Sequence, residues 1–131
     1  MTSTPSPTPR RVAAGLLAAT GVLHLVLVPE YLGEQAYIGV LFILGGLASL
    51  ALAAALWTRD ELATWGAAAL VAAGMFAGFV LSRTTGLPGF HESEWELSGV
   101  ISLILEGGVV LLALRSLAGR GRDVPRLQTA R

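Results

Sequence analysis

Apolar residues fall into four long blocks, about Val12–Val28, Tyr37–Trp57, Leu62–Ser82 and Leu97–Leu117, separated by short polar connections. Each is close to the roughly 20 residues that cross a hydrocarbon core of about 30 Å at about 1.5 Å per residue. None alternates with a period of two, and Ala, Leu and Gly dominate them. A segment inside hydrocarbon must satisfy its own backbone hydrogen bonds, so the four blocks are predicted helices. Short links place successive helices antiparallel and adjacent. The expected fold is therefore all-α, an integral membrane up-down-up-down four-helix bundle. Thr58-Arg59-Asp60-Glu61 and Ser93-Glu94-Trp95-Glu96 fit capping boxes that would start helices 3 and 4.

The flanks differ in kind. Residues 1–10 are rich in Thr, Ser and Pro and read as a disordered leader. Residues 119–131 read as a basic polar tail of the same sort, which leaves residues 11–118 as the transmembrane domain. Arg10-Arg11 before helix 1 resembles the start of a signal peptide. The apolar stretch that follows is long for one and lacks a small-residue cleavage site, so helix 1 is expected to stay.

Arginine placement adds a direction. Eight of the nine Arg lie before helix 1, between helices 2 and 3, or at and beyond the end of helix 4; only Arg83 lies on the other side. The positive-inside rule then puts both termini in the cytoplasm, with the protein a multi-pass protein of the plasma membrane. Glu30, Glu34, Glu92, Glu94 and Glu96 make the expected outer face acidic. Trp57, Trp65, Trp95, Tyr31 and Tyr37 fall near span ends, where interfacial aromatics belong.

Composition removes several function classes. Hydrophobic types make up 53% of the chain and charged residues 14%, against about 25% charged in a soluble domain. Nine basic residues balance nine acidic ones, which excludes a strongly basic nucleic-acid binder. With no cysteine there is no disulfide, thiolate metal site or iron–sulfur cluster. No nucleophile–base triad and no phosphate-binding glycine loop is recognisable, so the chain does not read as an enzyme.

Ionisable groups inside the spans are the candidate chemistry. His24 lies six residues before Glu30, so about 9 Å below the outer end of helix 1. Such groups usually face the bundle interior and serve as ligands or proton relays; the plainer role is a neutral His bonded to a neighbouring helix. Pro29 either opens the helix beside His24 or ends it. Glu106 lies ten residues after Glu96, about 15 Å deep, where a carboxylate is expected to be protonated or paired. Glu94, Ser98, Ser102 and Glu106 follow one another at four-residue spacing, a polar stripe from surface to midplane. Helices 1 and 4 are neighbours in this topology, which brings His24 and Glu106 within about one turn of each other.

The loop Ser82–Glu92 offers a tight turn at Gly86, Pro88 and Gly89. His91 with Glu92, Glu94 and Glu96 supplies possible ligands for a divalent metal ion, or simply a solvated helix start. Arg83 is expected to anchor the loop by ion pairs. Gly45/Ser49/Ala53 and Gly74/Gly78/Ser82 have the small-residue spacing of helix packing, within the chain or between copies.

The loop SRTTGLPG at Ser82–Gly89, the acid- and Trp-bearing start of the last helix, Glu106, and the His24 and Pro29-Glu30 end of helix 1 together resemble uncharacterised small four-helix membrane proteins of GC-rich bacteria. The likeness covers about a third of the chain. It implies four membrane helices and no established activity. Small multidrug transporters differ, since their essential Glu lies in helix 1.

Two functions compete. One is an outward-opening polar site between helices 1 and 4, in which His24, Glu94, Ser98, Ser102, Glu106 and His91 bind a metal ion or relay protons. The other is a structural or assembly partner, with no ligand, whose polar stripe docks another membrane helix; a homo-oligomer or another membrane protein is the expected partner. A haem held by His24 and His91 is disfavoured, because one of its ligands would sit in a loop.

Overall fold

The computed structural model describes residues 6–129. Four helices follow in order: α1 (Thr8–Glu34), α2 (Ala36–Thr58), α3 (Leu62–Arg83) and α4 (Leu97–Thr129). Each is long and apolar enough to cross a membrane, α4 over Leu97–Arg120. Every sequential pair packs together and α1 packs on α4, closing the ring; α2 and α3 are the least closely packed neighbours. Val26, Leu44, Leu70, Ile104 and Leu111 are exposed on the outside of the bundle, as a lipid-facing surface requires. The protein is an all-α multi-pass membrane protein. Both described chain ends lie at one end of the bundle, here the terminal end. Gln35 and residues 84–96 lie at the opposite, loop end.

Several boundaries differ from the sequence expectation. Helix α1 opens at Thr8, with a proline in its first turn; proline is preset for that position. The last residues of the expected leader are thus helical, and residues 1–5 lie outside the described residues. Arg10 explains part of this, donating to the free carbonyls of Leu56 and Trp57 at 2.6 and 2.7 Å. The backbone of α4 continues to Thr129 rather than ending near residue 118. Neither capping box forms. Thr58 closes α2 instead of opening α3, and its hydroxyl donates back to Ala54 and Ala55. Ser93 lies four residues before α4 begins.

Pro29 does not end α1, which runs on to Glu34. Lacking an N–H, Pro29 leaves the Leu25 carbonyl without its helical donor. One extended residue, Gln35 (φ −154°), then links α1 to α2. At the terminal end small residues let the helices close up: Ala13, Ala14, Ala53, Ala68, Ala72 and Ala113 are buried around Leu17, Leu56, Trp65 and Val109. Trp65 is thus a core residue and not an interfacial one. Its indole N–H donates to Asp60 at 2.7 Å, and Asp60 also takes Arg120 as an ion-pair partner. Midway along, α1 and α2 meet backbone to backbone. A Cβ on Gly21 would lie 2.9 Å from the Gly46 carbonyl.

Candidate functional site

The loop-end half of the bundle is not closed in this way. A cavity of about 420 Å³ lies there, with contributions from all four helices and the α3–α4 loop. Gly74 and Gly78 of α3 line it, and a Cβ at either would meet no neighbouring side chain or helix within 4 Å. Those two glycines were expected to pack a helix, within the chain or between copies; within this chain they border open space. Among the residues lining the cavity, Leu41, Leu44 and Leu70 are 54, 58 and 75% exposed. They lie on α2 and α3, so the mouth is lateral, between those helices. At the loop end Leu87, Phe90 and Arg83 roof it. The expected opening was outward, between α1 and α4; the exposed lining residues lie instead between α2 and α3, the least closely packed neighbours.

His24 and Glu106 meet on the cavity wall. His24 is 8% exposed and Glu106 1%, and His24 Nε2 lies 3.8 Å from Glu106 Oε1. That is an ion-pair distance, too long for a hydrogen bond. The Thr20 carbonyl, 2.9 Å from His24 Nδ1, accepts only, so Nδ1 carries a proton. Nε2 therefore faces the carboxyl group as a lone pair, or as an N–H once the ring is charged. Ser102 Oγ donates to Glu106 Oε1 at 2.6 Å, while Oε2 is buried with no partner. Phe42 lies over the imidazole, ring centroids 4.8 Å apart.

The expected stripe is shorter than its spacing implied. Ser98, Ser102 and Glu106 all line the cavity, with Ser102 and Glu106 turned into the protein's own interior. Glu94 is not on the helix, which begins at Leu97; it is exposed, and its carbonyl accepts from Arg83 Nε at 3.2 Å. His91 is exposed as well, its Nε2 3.2 Å from the Thr84 carbonyl. Neither reaches the His24–Glu106 pair. Among the described residues no three His, Asp or Glu gather as a metal site, so the metal and haem readings gain no ligand set.

Arg83 organises the roof. Its guanidinium donates to Glu92 and Ser82, both at 2.8 Å, approaches the Tyr31 hydroxyl at 3.4 Å and lies 4.1 Å over the Phe79 ring. The ion-pair anchor expected of it is present, but its burial to 8% exposure was not foreseen. Burial pushes the Glu92 carboxyl above its ordinary value, with Arg83 pulling the other way and Glu34, Glu96 and Glu30 adding repulsion. The loop turns at Leu87–Phe90, joined by backbone bonds of 2.7 and 2.9 Å. Gly89, at φ +65°, follows Pro88 as a type II turn requires. Tyr37 donates to the Pro88 carbonyl at 2.5 Å, tying the loop to α2. No family model, curated protein or solved structure matches the chain.

Proposed function

We propose that this membrane protein carries a proton-exchanging site, with His24 and Glu106 as the paired base and acid. The observation that carries the reading is the 3.8 Å approach of the two groups on a cavity wall, with one carboxyl oxygen left unpartnered. A membrane interior tolerates an acid and a base when one proton is shared between them, since the charges then cancel. Ser102 holds one carboxyl oxygen and Ser98 lies a turn nearer the loop end, so water along that row would carry protons to and from Glu106. This reading has no catalytic step and needs no cofactor. Infrared pH titration of the protein in lipid vesicles tests it. A carboxyl C=O band should respond to pH, vanish in Glu106→Gln and shift in His24→Gln. A pH-invariant spectrum overturns it.

The assembly role keeps less support, because Ser102 and Glu106 face the protein's own interior and are not offered to another helix. The arginine asymmetry orients the site, with the terminal end cytoplasmic and the loop end outside the plasma membrane. Cysteine placed at Thr85, which is exposed in the loop, should then react with an impermeant maleimide on intact cells. Labelling only after lysis reverses the orientation.

A further inference from the structure

Beside the His24 Nε2 lone pair, the cavity wall holds one buried side-chain oxygen without a partner. Three buried side-chain oxygens lack partners among the described residues: Thr20 Oγ1, Ser49 Oγ and Glu106 Oε2. Of these residues only Glu106 lines the cavity. The cation at the other end of the cavity, Arg83, is taken up by Glu92, Ser82, the Glu94 carbonyl and the Phe79 face. An anionic head group would therefore meet a carboxyl group and find no free cation. A purely apolar occupant would leave Oε2 unsatisfied, at a cost of the order of 1–3 kcal/mol. A basic nitrogen satisfies it, either accepting from the protonated carboxyl or, once charged, donating to the carboxylate.

The route in is set by the walls. The mouth is bordered by Leu41, Leu44, Leu70 and Gly74, all exposed on the lipid-facing side, while Leu87, Phe90 and Arg83 line the cavity at the loop end. We infer that the cavity binds a membrane-soluble amine, which enters from the bilayer between α2 and α3 and is held at Glu106. On binding, the proton on Glu106 Oε2 moves to the amine nitrogen, giving an ammonium–carboxylate pair with no change in net charge. The inference rests on the proton-exchanging reading of Glu106 and adds the ligand class and its path.

The test uses the full chain in lipid nanodiscs and equilibrium dialysis of N,N-dimethyldecylamine, with empty nanodiscs subtracted. Saturable binding to one site per chain is expected. Glu106→Gln, which keeps the shape of the side chain, should weaken it by about tenfold or more. Gly74→Phe should abolish it by filling the mouth. Gly78→Leu does the same from the next turn and serves if the larger substitution fails to fold, since a Cβ at either glycine meets nothing within 4 Å. Decanol and decanoate should not compete. No saturable binding overturns the inference, as does unchanged binding in Glu106→Gln or in the mouth variants, or equal competition by decanol or decanoate. The carboxyl band is followed in the same samples. A titrating Glu106 without amine binding removes the ligand inference alone, whereas a silent Glu106 removes the proton reading too.

Discussion

Replacing Arg83 with Ala should cost about 3 kcal/mol of stability, read as a lowered unfolding midpoint in detergent. The side chain is 8% exposed and holds together elements far apart in sequence: Tyr31 on α1, Phe79 and Ser82 on α3, and Glu92 in the loop. Its loss leaves the Glu92 carboxylate, whose side chain is only 20% exposed, without a counter-ion. It also removes the cation from the Phe79 ring. A double-mutant cycle with Glu92→Gln should return a coupling of about 1 kcal/mol or more. Additive effects of the two substitutions would mean that the pair is solvated in solution and does not hold the roof.

Gly21→Leu should separate α1 from α2, at a cost of about 3 kcal/mol through overpacking. A new Cβ meets the Gly46 carbonyl oxygen and Leu50 Cγ, both at 2.9 Å, and of the two the backbone oxygen cannot rotate away as a side chain can. Helix association in a bilayer depends on close backbone approach, since lipid supplies no hydrophobic drive between helices. His24 lies within one turn of Gly21, so forcing α1 outward also shifts the imidazole relative to Glu106. The expected result is a lower unfolding midpoint together with a changed carboxyl band. Gly33→Leu, on the same helix with nothing within 4 Å of its Cβ, should leave both unaltered. A stable Gly21→Leu protein with a native band would show that the crossing is not a close contact.

The meeting of His24 and Glu106 was legible because it depends on two quantities that a helical sequence displays directly: depth, from rise per residue, and adjacency, from short links. The extension of the stripe to Glu94 was not, because regular spacing persists in the sequence after the helix has stopped. Trp95 packs on Phe79, ring centroids 5.5 Å apart, in a loop conformation that spacing does not encode. His91 was drawn into the candidate site by its neighbours in sequence, and its actual partner is a carbonyl seven residues earlier. The cavity was the least visible feature. Gly45-Ser49-Ala53 and Gly74-Gly78-Ser82 look alike as patterns, yet Ser49 and Ala53 are buried while Gly74 and Gly78 face empty volume. Whether a glycine admits a neighbouring helix or leaves a gap depends on how far apart α2 and α3 stand, a tertiary quantity absent from either helix alone.

The single residue between α1 and α2 joins those helices as one board, and the loop of residues 84–96 joins α3 to α4 as another. The two boards pack more closely along α1 and α4 than along α2 and α3, so they meet like the covers of a book, with the tighter seam as the spine. His24 and Glu106 face each other near the spine, and Leu44 and Leu70 stand at the fore-edge. A small angular opening therefore displaces the fore-edge most and the 3.8 Å acid–base distance least. Two clasps join one board to the other, the Tyr37 hydroxyl on the Pro88 carbonyl and the Arg83 guanidinium near the Tyr31 hydroxyl, and both must let go before the pages part.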